Sequence, residues 1–264
     1  MPDFLTVCEQ AARAGGAILQ DWISRITIQQ KGPKDLVTDA DFASQQAIRR
    51  IVLAAFPEHQ FLGEEYDSDS QPASLESAEG AFRWIVDPLD GTLNYVRGMP
   101  SYAVSVALER NGELLAGVVF DPMLDECFKA APGRGAVLNE KPIHTTSCVS
   151  LSEALVAISL AANVTRESRE VSRFLEALYA SQSIRRTGSA ALNLCYVGAG
   201  RLDAYFASAP QPWDVAAGVL IAREAGAVIT SIAGTAFDLR RPELAAGATA
   251  QLHAELIQAL SRAE

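Results

Sequence analysis

Basic residues are in short supply in this 264-residue chain: 22 Lys and Arg against 32 Asp and Glu leave a formal net charge of −10. The densest basic stretch is only the pair Arg185-Arg186. A general affinity for nucleic acid or an anionic membrane surface is therefore excluded, because either would need a basic patch. Histidine is equally scarce. His59, His144 and His253 stand far apart and read as surface or structural residues, not as zinc ligands or catalytic bases. The four cysteines, Cys8, Cys127, Cys148 and Cys195, include no Cys-x-x-Cys pair. That excludes a disulfide framework and suits reduced thiols in the cytoplasm. Apolar runs such as Leu114–Phe120 are far shorter than the roughly 20 residues that cross a bilayer. The N-terminal segment lacks a basic region followed by an apolar core, and reads as an amphipathic helix instead of a targeting segment. Nucleophile signatures are missing as well: there is no Gly-x-Ser-x-Gly elbow, no Walker loop and no Cys/His arrangement. Gly133-Arg134-Gly135 is too short for a dinucleotide fingerprint and reads as a turn.

What is present is enough apolar sequence, 49% of residues, to bury a large core in one domain or two closely packed ones. Helical spacing of Phe4, Val7, Cys8, Ala11, Ile18 and Leu19 predicts a helix over 3–22. A capping pattern at Thr38 opens a second helix that Pro57 ends. Residues 60–66 read as a short strand, 67–80 as a polar and mobile segment, and 83–87, 102–109, 114–121 and 126–130 as strands. The turn Arg110-Asn111-Gly112-Glu113 joins the middle pair, and 132–143 reads as a hairpin and loop. The second half alternates: strands at 154–159, 183–186, 203–206 and 227–231, with helices at 166–181, 189–199, 213–225 and 250–262. This implies an α+β half over 1–147 and an α/β half over 148–264, with no internal repeat.

One stretch stands out. The apolar run Trp84-Ile85-Val86 ends on Asp87, and Asp90 follows across Pro88 and Leu89, just before Gly91 and Thr92. Asp, Pro and Gly are ordinary turn residues, so the pentapeptide alone reads as a turn. Three observations favour a site. An unpaired charge at the end of a buried strand is costly. Gly91-Thr92 can open a helical turn whose free N–H groups face an anion. Other acids occupy similar settings: Glu64 and Glu65 after Leu62-Gly63, and Asp214 after Trp213, where a helix cap is the ordinary reading. Bringing Glu64, Asp87, Asp90 and Asp214 together would create like-charge repulsion unless cations lay among them. An all-oxygen set selects a hard ion, Mg²⁺ or Mn²⁺.

The segment Trp84–Leu108 resembles the first signature of the inositol monophosphatase family, Asp-Pro-x-Asp-Gly-Thr/Ser-x-Asn, and Pro212–Thr230 resembles its second, Trp-Asp-x-Ala-Ala-Gly. Leu36–Asp41 and Leu62–Glu65 match further motifs in the same order, and the similarity covers nearly the whole chain. The resemblance implies a layered αβαβα sandwich of the inositol monophosphatase and sugar phosphatase type, mixed α+β and α/β. It implies a first Mg²⁺ held by Glu64, Asp87, the Leu89 carbonyl and the Thr92 hydroxyl. A second would be held by Asp87, Asp90 and Asp214, and a third, weaker one by Glu64 with Glu65. Mn²⁺ is a substitute. Asp41 would pair with Thr92 to orient the attacking water, with Glu64 as the further catalytic group. Amides of Gly91 and Thr92 would bind phosphate, and Lys31 or the equivalently placed Lys34 would assist. Gly188, Ser189 and Ala190, with Asp214, would line the substrate pocket.

The implied reaction is hydrolysis of a phosphate monoester by in-line attack of an activated water, without a phosphoenzyme. Inositol 1-phosphate or a similar polyol or sugar phosphate is the expected substrate. Histidinol phosphate, fructose 1,6-bisphosphate and a 3′-phosphoadenosine nucleotide are alternatives within the fold, and a non-catalytic metal-binding regulator is an alternative of another class. Inositol-specific members carry a Glu seven residues before the Trp-Asp aspartate; here that position is Ala207. Lithium sensitivity and a homodimer are further expectations of the resemblance.

Overall fold

The structure, a computed structural model, describes residues 3–23, 25–32, 35–65, 80–161 and 163–263, the side chains of Lys31 and Asp35 excepted. Helix α1 (Phe4–Trp22) begins where the Asp3 carboxylate accepts the Thr6 amide, and it buries the stripe Val7, Cys8, Ala11, Ala12 and Leu19. The antiparallel pair β1 (Ile28–Gly32) and β2 (Asp35–Thr38) follows. Helix α2 (Asp39–Ala55) opens on a capping box between Thr38 and Asp41.

A seven-stranded sheet is then laid down in chain order: β3 (Gln60–Gly63), β4 (Phe82–Asp90), β5 (Ala103–Arg110), β6 (Glu113–Asp121), β7 (Glu126–Ala130), β8 (Ala136–Leu138) and β9 (Lys141–Ile143). The short helix α3 (Thr92–Val96) sits between β4 and β5. Only β3 and β4 run parallel; the other neighbours are antiparallel. Asn111 and Gly112, both at positive φ, close the two-residue turn between β5 and β6.

The second half supplies β10 (Leu155–Ser159), α4 (Arg169–Ala180), β11 (Ser183–Arg185), α5 (Ala190–Gly198), β12 (Ala204–Ala207), α6 (Pro212–Glu224), β13 (Val228–Thr230), β14 (Leu244–Gly247) and α7 (Ala250–Ser261). Its five strands are ordered β11-β10-β12-β14-β13.

Alternation along the strands builds the layers. Trp84, Val86, Val104, Val106 and Val118 pack against α1 and α2, whereas Ile85, Ala107 and Val119 point the other way, into a core shared with α5 and α6. That central core also takes Ala157, Tyr205 and Ala246 from the second sheet, while Val156, Phe206 and Ala245 face Leu252, Leu256 and Leu260 of α7. The order is therefore helices, sheet, helices, sheet, helices: the αβαβα sandwich that the resemblance implied. Two glycines let the central helices come close. A Cβ on Gly117 of β6 would lie 3.1 Å from the Ala217 backbone in α6, and one on Gly218 would lie 2.7 Å from the Leu194 side chain in α5.

The strand expected at 60–66 ends at Gly63, leaving Glu64 and Glu65 beyond it. The strand expected at 83–87 runs on to Asp90, with its register to β5 shifting between Asp87 and Asp90. Pro88 has no N–H to give the ladder, which is the physical reason for the shift. Strand β14 and the β1–β2 pair have no counterpart in the sequence-based expectations. Most of the polar segment 67–80, along with Lys34 and the Lys31 side chain, lies outside the described residues.

Candidate active site

The tip of β4 is a distorted strand end held by side chains from three other elements. The Leu89 amide donates to Asp87 Oδ1 at 2.9 Å, and Ser44 Oγ of α2 donates to the Pro88 carbonyl at 3.0 Å. Gly91 has φ +98°, and a Cβ there would lie 2.9 Å from the Ser101 carbonyl, so both conformation and space call for glycine. The chain then turns into α3. Thr92 Oγ1 lies 3.1 Å from the Leu89 carbonyl and 3.3 Å from Asp41 Oδ1. The other oxygen of Asp41 accepts from the Thr38 amide at 2.9 Å and from Thr38 Oγ1 at 2.5 Å, which fixes this fully buried carboxylate.

Glu64 leaves β3 with its amide donating to the Val86 carbonyl at 3.1 Å, alongside Asp87. Next to it, Gln45 of α2 grips the Glu65 backbone on both sides, donating to its carbonyl at 2.6 Å and accepting its amide at 3.0 Å. Asp90 reaches the start of α5: its Oδ2 accepts from Ser189 Oγ at 2.5 Å and from the Ala191 amide at 2.7 Å. Asp214 lies in the first turn of α6, behind Pro212, with Oδ2 accepting the Gln211 amide at 2.8 Å. Ser105 Oγ of β5 donates to the Trp213 carbonyl at 3.2 Å, tying that turn to the first sheet.

Asp87, Asp90 and Asp214 thus each keep one oxygen on a nearby donor, while the charge of Glu64 acts on all three. Burial first, then the charges of Glu64, Asp90 and Asp214, hold Asp87 well above the usual carboxylate range. Asp214 is raised by burial, then by Asp90 and Glu64. Burial pushes Asp90 to about 6 despite the hydrogen bonds from Ser189, Ala191 and Ala190, with Glu64 adding to the rise. The four carboxylates named from the motifs are therefore brought into mutual electrostatic range. They do not form a closed cage: among the described residues, no three Asp, Glu, His or Cys side chains converge closely enough to enclose an ion as they are placed.

A cleft of about 190 Å³ opens beside Asp90 and Asp214 and is lined by Gly188 and Ala190, with Ser159, Leu160, Arg186, Ala209 and Pro210 around them. Ser189 is fully buried, and its hydroxyl serves Asp90. Ala207 is sealed in β12 within the central core. A larger cavity, about 1100 Å³, lies between α6, the β5–β6 turn and residues 236–240; it holds none of the four acids.

Several supporting residues were not singled out from sequence. Asn94 Nδ2 lies within hydrogen-bonding distance of the Ser101 carbonyl, at 2.7 Å, and the Thr187 carbonyl, at 2.8 Å, joining the α3 loop to the segment before Gly188. It closes the Asp-Pro-Leu-Asp-Gly-Thr-Leu-Asn run, and that position was the available signal. Ser44, Gln45 and Ser159 carry no signal in the sequence, since nothing local marks a serine or glutamine that serves a strand elsewhere.

Comparison with known proteins bears on this geometry. The profile of the inositol monophosphatase family matches residues 2–264. Inositol monophosphatase 2 of Solanum lycopersicum is 38% identical over 274 residues, covering all of both chains. Nus factor SuhB of Vibrio cholerae is 38% identical over 238 residues, 89% of this chain and 87% of that one. The crystal structure of extragenic suppressor protein suhB from Bartonella henselae superposes with a TM-score of 0.87 at 34% identity, over 97% of this chain and 98% of the other.

Proposed function

The chain belongs to the inositol monophosphatase family and is a phosphoric monoester hydrolase, and on that premise we propose that it hydrolyses a small polyol or sugar phosphate with Mg²⁺ held by Glu64, Asp87, Asp90 and Asp214. The observation that carries this reading is the mutual charge coupling of Asp87, Asp90, Asp214 and Glu64, which come from distant parts of the chain. The donor set fits a hard cation. It is all oxygen, with the Leu89 carbonyl and Thr92 hydroxyl beside the carboxylates, and a divalent ion would offset both the burial and the like-charge repulsion that raise these acids. Glu65, next to Glu64, supports a weaker additional site.

Mg²⁺, or Mn²⁺ in its place, would neutralise phosphoryl oxygens, lower the pKa of a water and stabilise the leaving alkoxide. The chain's own residues do the positioning. Asp41, immobilised through Thr38, keeps an oxygen near Thr92 Oγ1. The Thr92 hydroxyl, which donates to Asp41 Oδ1, would accept from the attacking water and relay its one proton to Asp41, while Glu64 would help to orient the same water. The amides of Gly91 and Thr92 bind the phosphate, while Gly188 and Ala190 form the wall beside Asp214. Attack is in line with no phosphoenzyme. Supporting this, burial raises the Cys8 and Cys195 thiols and makes them poor nucleophiles. The two halves, 1–147 and 148–264, act as one catalytic unit, because α6 carries Asp214 while packing on the first sheet. Family membership supports a homodimer, and unpaired cysteines support a cytoplasmic location.

Phosphate release from inositol 1-phosphate, sugar phosphates, histidinol phosphate and a 3′-phosphoadenosine nucleotide, measured with Mg²⁺ and with chelator, tests the reading. Chelator-sensitive turnover of a polyol or sugar phosphate is expected. Turnover no greater than Mg²⁺ alone across the panel would overturn it and favour the metal-binding regulator.

A further inference from the structure

The cleft beside the acids contains one basic side chain, and its surroundings say what it is for. Arg186 lines the cleft with Asp90 and Asp214. It is exposed and has no hydrogen-bond or ion-pair partner among the described residues. Its neighbour Arg185 differs: its Nη1 lies 2.6 Å from Ser183 Oγ and 3.0 Å from the Ile184 carbonyl. The backbone on either side of Arg186 is fixed. Arg185 closes β11, and Thr187 is held by Asn94 Nδ2 at its carbonyl and by its own hydroxyl donating to Asn193 Oδ1 at 2.8 Å.

The rest of that wall offers a ligand little. Leu160, Ala209 and Pro210 bring apolar side chains, and Ser159 Oγ already accepts the Tyr205 hydroxyl at 2.9 Å. Apart from the Asp90 and Asp214 carboxylates, which the proposed Mg²⁺ would engage, a substrate hydroxyl seeking a side-chain acceptor finds few partners there. An anionic substituent finds a guanidinium with a fork of N–H donors suited to a carboxylate or phosphate. We infer that Arg186 is a specificity residue that selects phosphate monoesters bearing a second anionic group, carboxylate or phosphate, away from the scissile ester. The inference rests on the proposed phosphatase reading of the same site. The fixed backbone places the root of Arg186 at the cleft, and ordering its side chain on the second anion carries an entropic cost, which the charge-assisted hydrogen bonds must exceed.

The test compares kcat/KM within matched pairs in Mg²⁺: 3-phosphoglycerate against glycerol 3-phosphate for a carboxylate, and glucose 1,6-bisphosphate against glucose 1-phosphate for a phosphate. The wild-type protein is expected to prefer the doubly anionic member of at least one pair, and the pair identifies which anion is read. In Arg186→Gln that preference ratio should collapse by about 10-fold or more, through KM more than kcat, with partial recovery in Arg186→Lys. A wild-type ratio at or below one in both pairs, or an equal loss on both members in Arg186→Gln, would overturn the inference. Failure to hydrolyse any monoester would instead remove the phosphatase reading beneath it.

Discussion

Asp90→Asn separates stability from catalysis in a way the site makes quantitative. Burial moves the Asp90 carboxyl from 3.8 to about 6. A carboxyl with a raised folded-state pKa holds its proton more tightly when folded. Its contribution to stability is therefore complete below the unfolded value and is lost as pH rises through about 6. The gap of about 2.2 pH units, at about 1.36 kcal/mol each, puts the loss on the order of 3 kcal/mol by pH 7.5. Asparagine imitates the protonated acid, and its amide oxygen still accepts from Ser189 Oγ and the Ala191 amide.

In chelator at pH 7.5 the variant should be more stable than wild type by up to about 3 kcal/mol, a melting shift on the order of 6 °C. At pH 4 the advantage should almost vanish. Mg²⁺ at a hundred times its Kd should bring the two proteins close to level, since it adds about 2.7 kcal/mol to wild type and less to a variant that has lost a ligand. Urea titrations at both pH values, with chelator and then with Mg²⁺, measure every term. A variant less stable than wild type in chelator at pH 7.5, or one with an equal advantage at pH 4, would refute the electrostatic reasoning. An equal Mg²⁺ shift in both proteins would refute Asp90 as a ligand.

Three further outcomes are expected. Asp87→Asn removes the acid under the greatest combined influence and should lower kcat by at least about 100-fold; near-normal turnover in a phosphate-release assay would contradict its role. Gly117→Ala places a methyl 3.1 Å from the Ala217 backbone, so it should cost about 1–3 kcal/mol and weaken Mg²⁺ binding by displacing α6; a calorimetric titration with unchanged Mg²⁺ affinity would show that Asp214 does not depend on that contact. Lithium at tens of millimolar, roughly the range in which weakly held hard ions compete, should inhibit turnover, and full activity there would argue against the second ion site.

Sequence periodicity revealed the long helices because each buries one stripe, as in Val7, Ala11 and Ala12 of α1. It missed β14, whose Ala245-Ala246-Gly247 run is short and is ordered by partners in β12 and β13. It also missed the β1–β2 pair, where exposed Gln29 and Gln30 supply no alternation. Asp214 was locally legible as a helix cap, and it does accept the Gln211 amide; its charge also reaches the other acids, which no local rule reveals. Ser189 carried the expectation of a substrate wall, yet its hydroxyl lies on Asp90, 99 residues away in sequence. Arg186 stood out in the sequence only as half of the densest basic pair; the fold sets it beside the cleft.

The order in which the acids occur along the chain has a consequence for biosynthesis. Glu64, Asp87 and Asp90 leave the ribosome long before Ser189, which anchors Asp90, and before the helix that brings in Asp214. A nascent or truncated polypeptide ending ahead of that helix lacks Asp214, so on the proposed reading hydrolysis should begin only once that helix has been made.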